Sequence, residues 1–316
     1  MTIEITDQPL QQIERQLRQL LDTHSRITLH LLNPDYAPGT YAGEMIEVSG
    51  RHYRYRSLRT WMEFAELLEC RMMLPKPIDE HRISLTLYKR ENDSFHQKIV
   101  TQREEKYGND SHFARIHKME EAAFLHYYLQ ALRNVKVENR REILNLGINR
   151  GDEFKVIENM ISQETFSQMH LVGIDHSKSA LVKARERFSP SHVDLYAHDI
   201  NDLASLKLPK ADLLISIGTL QSPGINYKPF LMDLVQNHLT ENAALILGFP
   251  NSRWINGEMI YGAKAPNYAM SEMSLLFNDV MFAKKYLQQK KFRVTITGKQ
   301  YIFLTATKIT SAINQN

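Results

Sequence analysis

Between Arg141 and Glu153 the chain reads REILNLGINRGDE. The residues with chemical potential fall there at regular intervals: Asn145, Gly147, Asn149 and Gly151, with Asp152 and Glu153 directly behind. Ile143 and Leu144 ahead of them predict a buried strand, and the acidic pair opens a helical pattern. A strand that turns into a helix through glycines lets the backbone approach a ligand closely. It also presents the unpaired N–H groups of a helix start, an arrangement suited to an adenine-containing cofactor. The tail of the stretch points away from a phosphate cradle. No Lys-Ser or Lys-Thr pair follows Gly151, and two carboxylates at a helix start repel a pyrophosphate while tolerating a cofactor with a positive centre.

Polar residues recur at the ends of further predicted strands. Leu171 to Ile174 is a second apolar run and ends in Asp175 and His176. An acidic residue at that place hydrogen-bonds a ribose diol in doubly wound folds. Val193 to Tyr196 leads to His198, Asp199 and Ile200, and Asp212 to Ser216 leads to Gly218 and Thr219. Open parallel sheets bind their ligands at these carboxyl ends of strands.

Taken in order, these segments resemble a known family. ILNLGINRGDEF resembles motif I of the class I S-adenosylmethionine-dependent methyltransferases, and LVGIDHSKSALVKAR resembles their second-strand acidic motif. HVDLYAHDIND is similar to the third-strand motif, and ADLLISIGTLQSPG and AALILGFPNSRW to the fourth and fifth strands. The resemblance runs from Ser111 to Lys308. It implies an α/β fold with a doubly wound, mostly parallel seven-stranded sheet, its last strand antiparallel and inserted between the fifth and sixth. It also implies S-adenosylmethionine as cofactor and a methyltransferase activity. The implied cofactor site consists of Asn145, Gly147, Asn149, Gly151, Asp175, His176, Asp199, Ile200, Ser216 and Gly218. Within it Asp175 binds the ribose, His176 lies near the adenine, Asp199 accepts from the adenine amino group and Ile200 packs on the ring. Helices just before motif I often cover the cofactor in this family, which brings Arg115, His117 and Lys118 into reach of its carboxylate.

The chain departs from the family pattern at two places. The family usually has an acidic residue where this chain has Asn145, which brings no charge to the cofactor's ammonium group. It usually has a glycine where this chain has Asn149; asparagine tolerates a left-handed backbone, so Asn149 can hold the turn. At the fourth strand, Ser216-Ile217-Gly218-Thr219 lacks the Asn/Asp-Pro-Pro-aromatic motif of the family members that methylate base amino groups. Gln221, Asn251, Tyr261, Tyr268 and His117 lie in segments expected to border the cleft. None is singled out as a catalytic base, because in-line positioning supplies much of the rate of methyl transfer from a sulfonium.

Two other readings stay open. One is a methyltransferase fold that binds without catalysing. The other is an NAD(P) oxidoreductase, because Tyr286 and Lys290 match the YxxxK of short-chain dehydrogenases, although the glycine pattern and Asn-Ala-Gly segment of those enzymes are absent. No histidine spacing reads as a metal site.

Residues 1–90 predict an accessory α+β domain, 91–110 a linker, and 111–316 the cofactor-binding domain. The accessory domain starts with a helix from Asp7 to His24, capped by Asp7, and a strand from Arg26 to Leu32. A hairpin of Met45–Val48 and His52–Tyr55 turns across Ser49-Gly50, a helix capped by Ser57 follows, and Ile83 to Tyr88 is a strand. In the larger domain a helix is expected over His112 to Arg133. Ile255 to Ala269 shows no clear period, Met270 to Lys290 is helical, and Phe292–Thr297 and Tyr301–Thr307 form a closing hairpin.

The run Arg51 to Arg56 alternates basic and aromatic residues, placing His52, Arg54 and Arg56 on one strand face and Tyr53 and Tyr55 on the other. This pattern suits an RNA partner through phosphate contacts and stacking. It equally suits tyrosines packed on the Trp61 helix with arginines in water. Among acceptors, RNA stands slightly ahead of a small molecule or a protein side chain.

Composition bounds these readings. The 316 residues are 43% hydrophobic and 24% charged, with a net charge of +3, so no global field demands nucleic acid. A single cysteine, Cys70, excludes an internal disulfide framework and cysteine-based zinc sites. The first residues lack the features of a signal peptide and no run reaches membrane-spanning length, so the expected location is cytoplasmic. Oligomeric state is left open.

Overall fold

The computed structural model describes residues 1–36, 39–91, 112–188, 191–263 and 272–309. The chain divides into two units, Met1–Asp93 and Ser94–Asn316. Tyr268 and nearly all of the expected linker lie outside the described residues.

The first unit is a small α+β sheet. Strands β1 (Thr2–Glu4), β2 (Arg26–Leu32), β5 (Cys70–Met72) and β7 (Arg82–Lys89) are ordered β1-β2-β7-β5, and the short β6 (Lys76–Pro77) also pairs with β7. Leu29, Leu31 and Leu85 alternate inward against Ile13 and Leu17 of helix α1 (Leu10–Leu21) and Trp61 and Phe64 of helix α2 (Leu58–Leu67). Helix α1 starts later than expected. Pro9 occupies the N-cap with extended backbone, and no side chain caps the helix, so Asp7 is not the cap. Ser57 does cap α2, accepting from the N–H of Thr60. The hairpin joins β3 (Met45–Val48) to β4 (Arg51–Arg54), and Ser49 and Gly50 both take positive φ, as a two-residue turn matched to strand twist requires.

The basic–aromatic run departs from both expectations. Tyr53 is buried, as a packed tyrosine should be, but Arg56 is only 5% exposed. Its Nη2 donates to the carbonyl of Gln8 at 2.5 Å, and its guanidinium lies over the Trp61 ring. The Nε of Arg54 donates to the carbonyl of Asp7. Arg56 is therefore withdrawn from solvent, while Arg54 stays partly exposed with its Nε engaged. They hold the hairpin to the segment before α1.

The second unit is a three-layer α/β/α sandwich. Its sheet comprises β8 (Glu142–Leu146), β9 (His170–Asp175), β10 (Val193–Ala197), β11 (Ala211–Ile217), β12 (Leu239–Pro250), β15 (Phe292–Gly298) and β16 (Tyr301–Lys308). The order is β10-β9-β8-β11-β12-β16-β15, parallel throughout except for β16, which runs antiparallel to both neighbours. The central strands read as continuous apolar runs because both faces are covered. One face, with Ile143 and Ile215, packs under helices α3 (Ala122–Asn134), α4 (Asp152–Met160), α5 (Gln163–Ser167) and α6 (Lys178–Arg187). The other, with Leu144 and Leu214, packs under α7 (Tyr227–Asp233) and α8 (Ser274–Gln289).

Two local expectations fail. The single helix expected over His112 to Arg133 is two 3-10 turns followed by α3. The carbonyls of Ala114 and Ile116 leave any helical ladder and accept from the guanidinium of Arg150 instead. Part of the stretch without a clear period is a hairpin, β13 (Ser252–Ile255) with β14 (Glu258–Tyr261), turning at Asn256-Gly257.

The amino ends of the central strands carry a charged staple. Imidazole N–H groups of His170 donate to Glu142 at 2.7 Å and to Asp194 at 3.0 Å, tying β9 to β8 and β10. Burial works against the charged ring, but the hydrogen bonds it donates to Asp194 and Glu142 outweigh this and raise its pKa above the ordinary histidine value. A raised folded-state pKa gives stabilisation that is complete below the unfolded histidine pKa and is lost as pH rises through the folded one. Thermal unfolding should therefore show a midpoint that falls as pH rises through the histidine range, and His170→Gln should flatten that fall. An equal slope in both proteins would assign the effect to another group.

Candidate cofactor site

Where β8 ends, the chain folds back through three left-handed residues, Gly147 (φ 81), Asn149 (φ 47) and Gly151 (φ 83), and enters α4. Asn149 thus takes the backbone conformation that the sequence required of it. The turn is anchored to the neighbouring strand: the N–H groups of Gly147 and Ile148 both donate to the carbonyl of Ile174, at 2.8 and 3.2 Å. Asp175, at the end of β9, completes the anchor. Its Oδ2 accepts from the N–H of Asn149 and its Oδ1 from the N–H of Ser177, each at 2.9 Å. Ser177 in turn caps α6. Asp175 is buried, and burial raises its carboxyl pKa although the N–H groups of Ser177 and Asn149 pull it down. Each oxygen keeps further lone pairs for a ligand.

The other expected residues fall into two groups. His176 is exposed, with Nδ1 3.8 Å from Asp175 Oδ1, and Gly218 lies at the end of β11 with φ 75, beside the Tyr301 hydroxyl. These two join the turn. Asp199 follows β10 and is exposed; its carboxylate accepts from the N–H and the amide of Asn201, whose amide also donates to the carbonyl of Gly224 beyond β11. Ile200 is buried in the α7–α8 layer. Ser216 is also buried, and its hydroxyl donates across to the Leu146 carbonyl, knitting β11 to β8.

Several candidates have other work. Both polar atoms of the Asn251 amide are engaged, by the carbonyl of Lys299 and the N–H of Ala263, so this residue fixes the β13–β14 hairpin rather than awaiting a substrate. Tyr286 donates to the carbonyl of Met232 and accepts from Gln236, in the segment that leads into the amino end of β12. That is the edge opposite the glycine turn, so Tyr286 and Lys290 do not form a dehydrogenase pair with it.

Two residues bear on the site in ways that the motifs did not show. Asn145 is 1% exposed and its Nδ2 has no hydrogen-bond partner among the described residues. Glu153, in the first turn of α4, is buried, and desolvation raises its pKa to about 7, against the pull of Lys118 and with added repulsion from Asp152 and Asp175. Lys118 reaches this corner from the 3-10 turn ahead of α3 and lies over the Tyr301 ring. Of the three basic residues expected before motif I, it is the one placed here by contacts. A buried Glu inside an amphipathic helix start is the signal by which sequence could have found the second residue.

The strand order decides the fold. Numbered within its own sheet it is 3-2-1-4-5-7-6 with strand 7 antiparallel, the insertion that the motif resemblance implied. This is the class I methyltransferase fold. No protein-family model and no curated protein matches the chain. Among solved structures, the methyltransferase domain of bacterial CtHen1-CN is similar at 14% identity and a TM-score of 0.41, covering 59% of this chain and 98% of that one. Human methyltransferase-like protein 13, in complex with SAH, is similar at 15% identity and 0.41, covering 62% and 85%. The N-methyltransferase NodS from Bradyrhizobium japonicum is similar at 14% and 0.40, covering 61% and 99%. At these values none of the likenesses bears on activity, and the methyltransferase fold rests on strand order. Among the described residues no cluster of His, Cys, Asp or Glu is placed to hold a metal, and no helix is long and apolar enough to cross a membrane.

Proposed function

We propose that the second unit binds S-adenosylmethionine at the carboxyl ends of β8, β9 and β11 and transfers its methyl group to an acceptor. The observation that carries this reading is the left-handed turn Gly147–Gly151, braced by Asp175, at the point where the strand order reverses around β8. Open α/β sheets bind ligands in the crevice that such a reversal opens. The donor set fits the cofactor: Asp175 offers lone pairs for a ribose diol, and the buried Asn145 Nδ2 lacks a partner among the described residues. When bound, the cofactor supplies an electrophilic methyl on a sulfonium. The chain's task is then orientation, by the turn and by the loop after β11, which needs no strong base. With Arg56 buried, the hairpin has one arginine fewer to offer an RNA partner, and no acceptor class is assigned.

Calorimetric titration with S-adenosylmethionine and S-adenosylhomocysteine, with NADH as control, tests the reading. Binding of the sulfur ligands in the micromolar range and none of NADH is expected. No binding of either sulfur ligand would overturn it and favour a module of this fold that binds without catalysing.

A further inference from the structure

In the family that this domain resembles, the charge for the cofactor's ammonium group is expected at the end of the first strand, where this chain has Asn145. The negative charge has not vanished from this corner. Alternation along β8 puts Asn145 on the same face as Ile143, which packs with Tyr128 and Phe154 beneath α3 and α4. Glu153 enters that same corner from the first turn of α4, and the Tyr128 hydroxyl donates to its backbone carbonyl at 3.3 Å. The loop after β11 closes the corner: Thr219 abuts Gly147, and the Tyr301 hydroxyl lies beside Gly218.

A buried carboxylate and a buried amide donor with no partner among the described residues are each costly to the chain alone, since each forgoes water. Both costs are met by one kind of ligand group, a zwitterion that offers a cation to the first and an acceptor to the second. Resting on the proposed cofactor reading, we infer that Glu153 binds the ammonium and Asn145 the carboxylate of the amino-acid end of S-adenosylmethionine. The acidic role has moved from the strand end to the helix start. Lys118 also faces Glu153; its positive charge favours the ionised carboxylate and competes with an ammonium there. Asp152 and Asp175 are the other charged groups facing Glu153, and both favour a cation between them.

The test compares two probes that share the adenosine and sulfur but differ in this end: S-adenosylhomocysteine, and 5′-methylthioadenosine, which lacks the amino acid. Glu153→Gln should weaken S-adenosylhomocysteine binding by about 10- to 100-fold, the range of one hydrogen bond between charged groups, and leave 5′-methylthioadenosine affinity unchanged. An ion pair that only shapes the helix start would instead weaken both probes equally, and that result overturns the inference. A second readout needs no variant. In the wild-type protein, S-adenosylhomocysteine affinity should rise with pH through about 7 as Glu153 ionises, while 5′-methylthioadenosine affinity stays flat. Parallel pH profiles would overturn the inference even if the variant failed to fold. If wild-type protein bound neither probe, the cofactor reading itself would fall, an outcome distinct from equal loss of both.

Discussion

Asp175→Ala is expected to lose S-adenosylhomocysteine binding and to unfold at a lower temperature, both together. The motif alone predicts only the first, a folded protein with an empty ribose site. The structure adds the second, because the carboxylate is also the acceptor for the N–H groups of Asn149 and Ser177. Truncation removes the carboxylate acceptor of these two N–H groups, at ~1–3 kcal/mol each. Relief of the desolvation that raises the Asp175 pKa offsets part of this. A net loss of about 2–4 kcal/mol, or roughly 5–15 °C for a domain of this size, is the expected balance. Loss of charge-assisted bonds to a ribose diol adds at least about 100-fold in affinity. Thermal unfolding and calorimetry on the same preparation read both. Asp175→Asn keeps one acceptor and should fall between. Wild-type affinity in the alanine variant would remove Asp175 from the site, and an unchanged midpoint would show that the anchor contributes nothing.

The double duty of Asp175 marks what sequence conveys about such a site. Strand ends are legible because buried parallel strands are apolar throughout and stop abruptly at polar residues. Ile143-Leu144, Leu171–Ile174 and Leu213–Ile215 announce three neighbouring strands, and the residues after each fall at one edge. The requirement for a left-handed residue at Asn149 is legible too, since few residue types tolerate it. What cannot be read is how polar atoms divide their bonds once the strands are side by side. Ser216 directs its hydroxyl to Leu146, Asn251 directs its amide to the turns around it, and Asn145 is left without a partner for Nδ2 among the described residues.

Long-range bonds also override local pattern. The periodicity of His112 to Arg133 is that of one helix, yet Arg150 draws two of its carbonyls away. Arg56 sits in a run whose alternation promises a solvated face, and Trp61 and the Gln8 carbonyl hold it inside. One miss had a local cue: Asn256-Gly257 is a strong short-range hairpin signal, and it lies where β13 turns into β14.

The glycine turn itself allows strain to be separated from crowding. Gly147 and Gly257 have nearly the same backbone, φ 81 and φ 78. A side chain at either pays the left-handed cost, ~1–2 kcal/mol. At Gly257 an added methyl meets open space, whereas at Gly147 it overlaps Thr219 Oγ1 and comes within 2.9 Å of Thr219 Cβ and Cγ2. Neither partner yields easily. Gly147 is held to β9 through the Ile174 carbonyl, and Thr219 has its crowded Cβ next to its own backbone. Gly147→Ala should therefore cost ~2 kcal/mol or more beyond Gly257→Ala, in the range of overpacked cores, and reduce S-adenosylhomocysteine affinity more than tenfold. Gly147→Ala combined with Thr219→Gly should return stability to about the level of Gly257→Ala, since only the backbone cost remains. If the double variant is no more stable than Gly147→Ala alone, crowding against Thr219 is not the cause, and the turn is constrained by its anchor to β9.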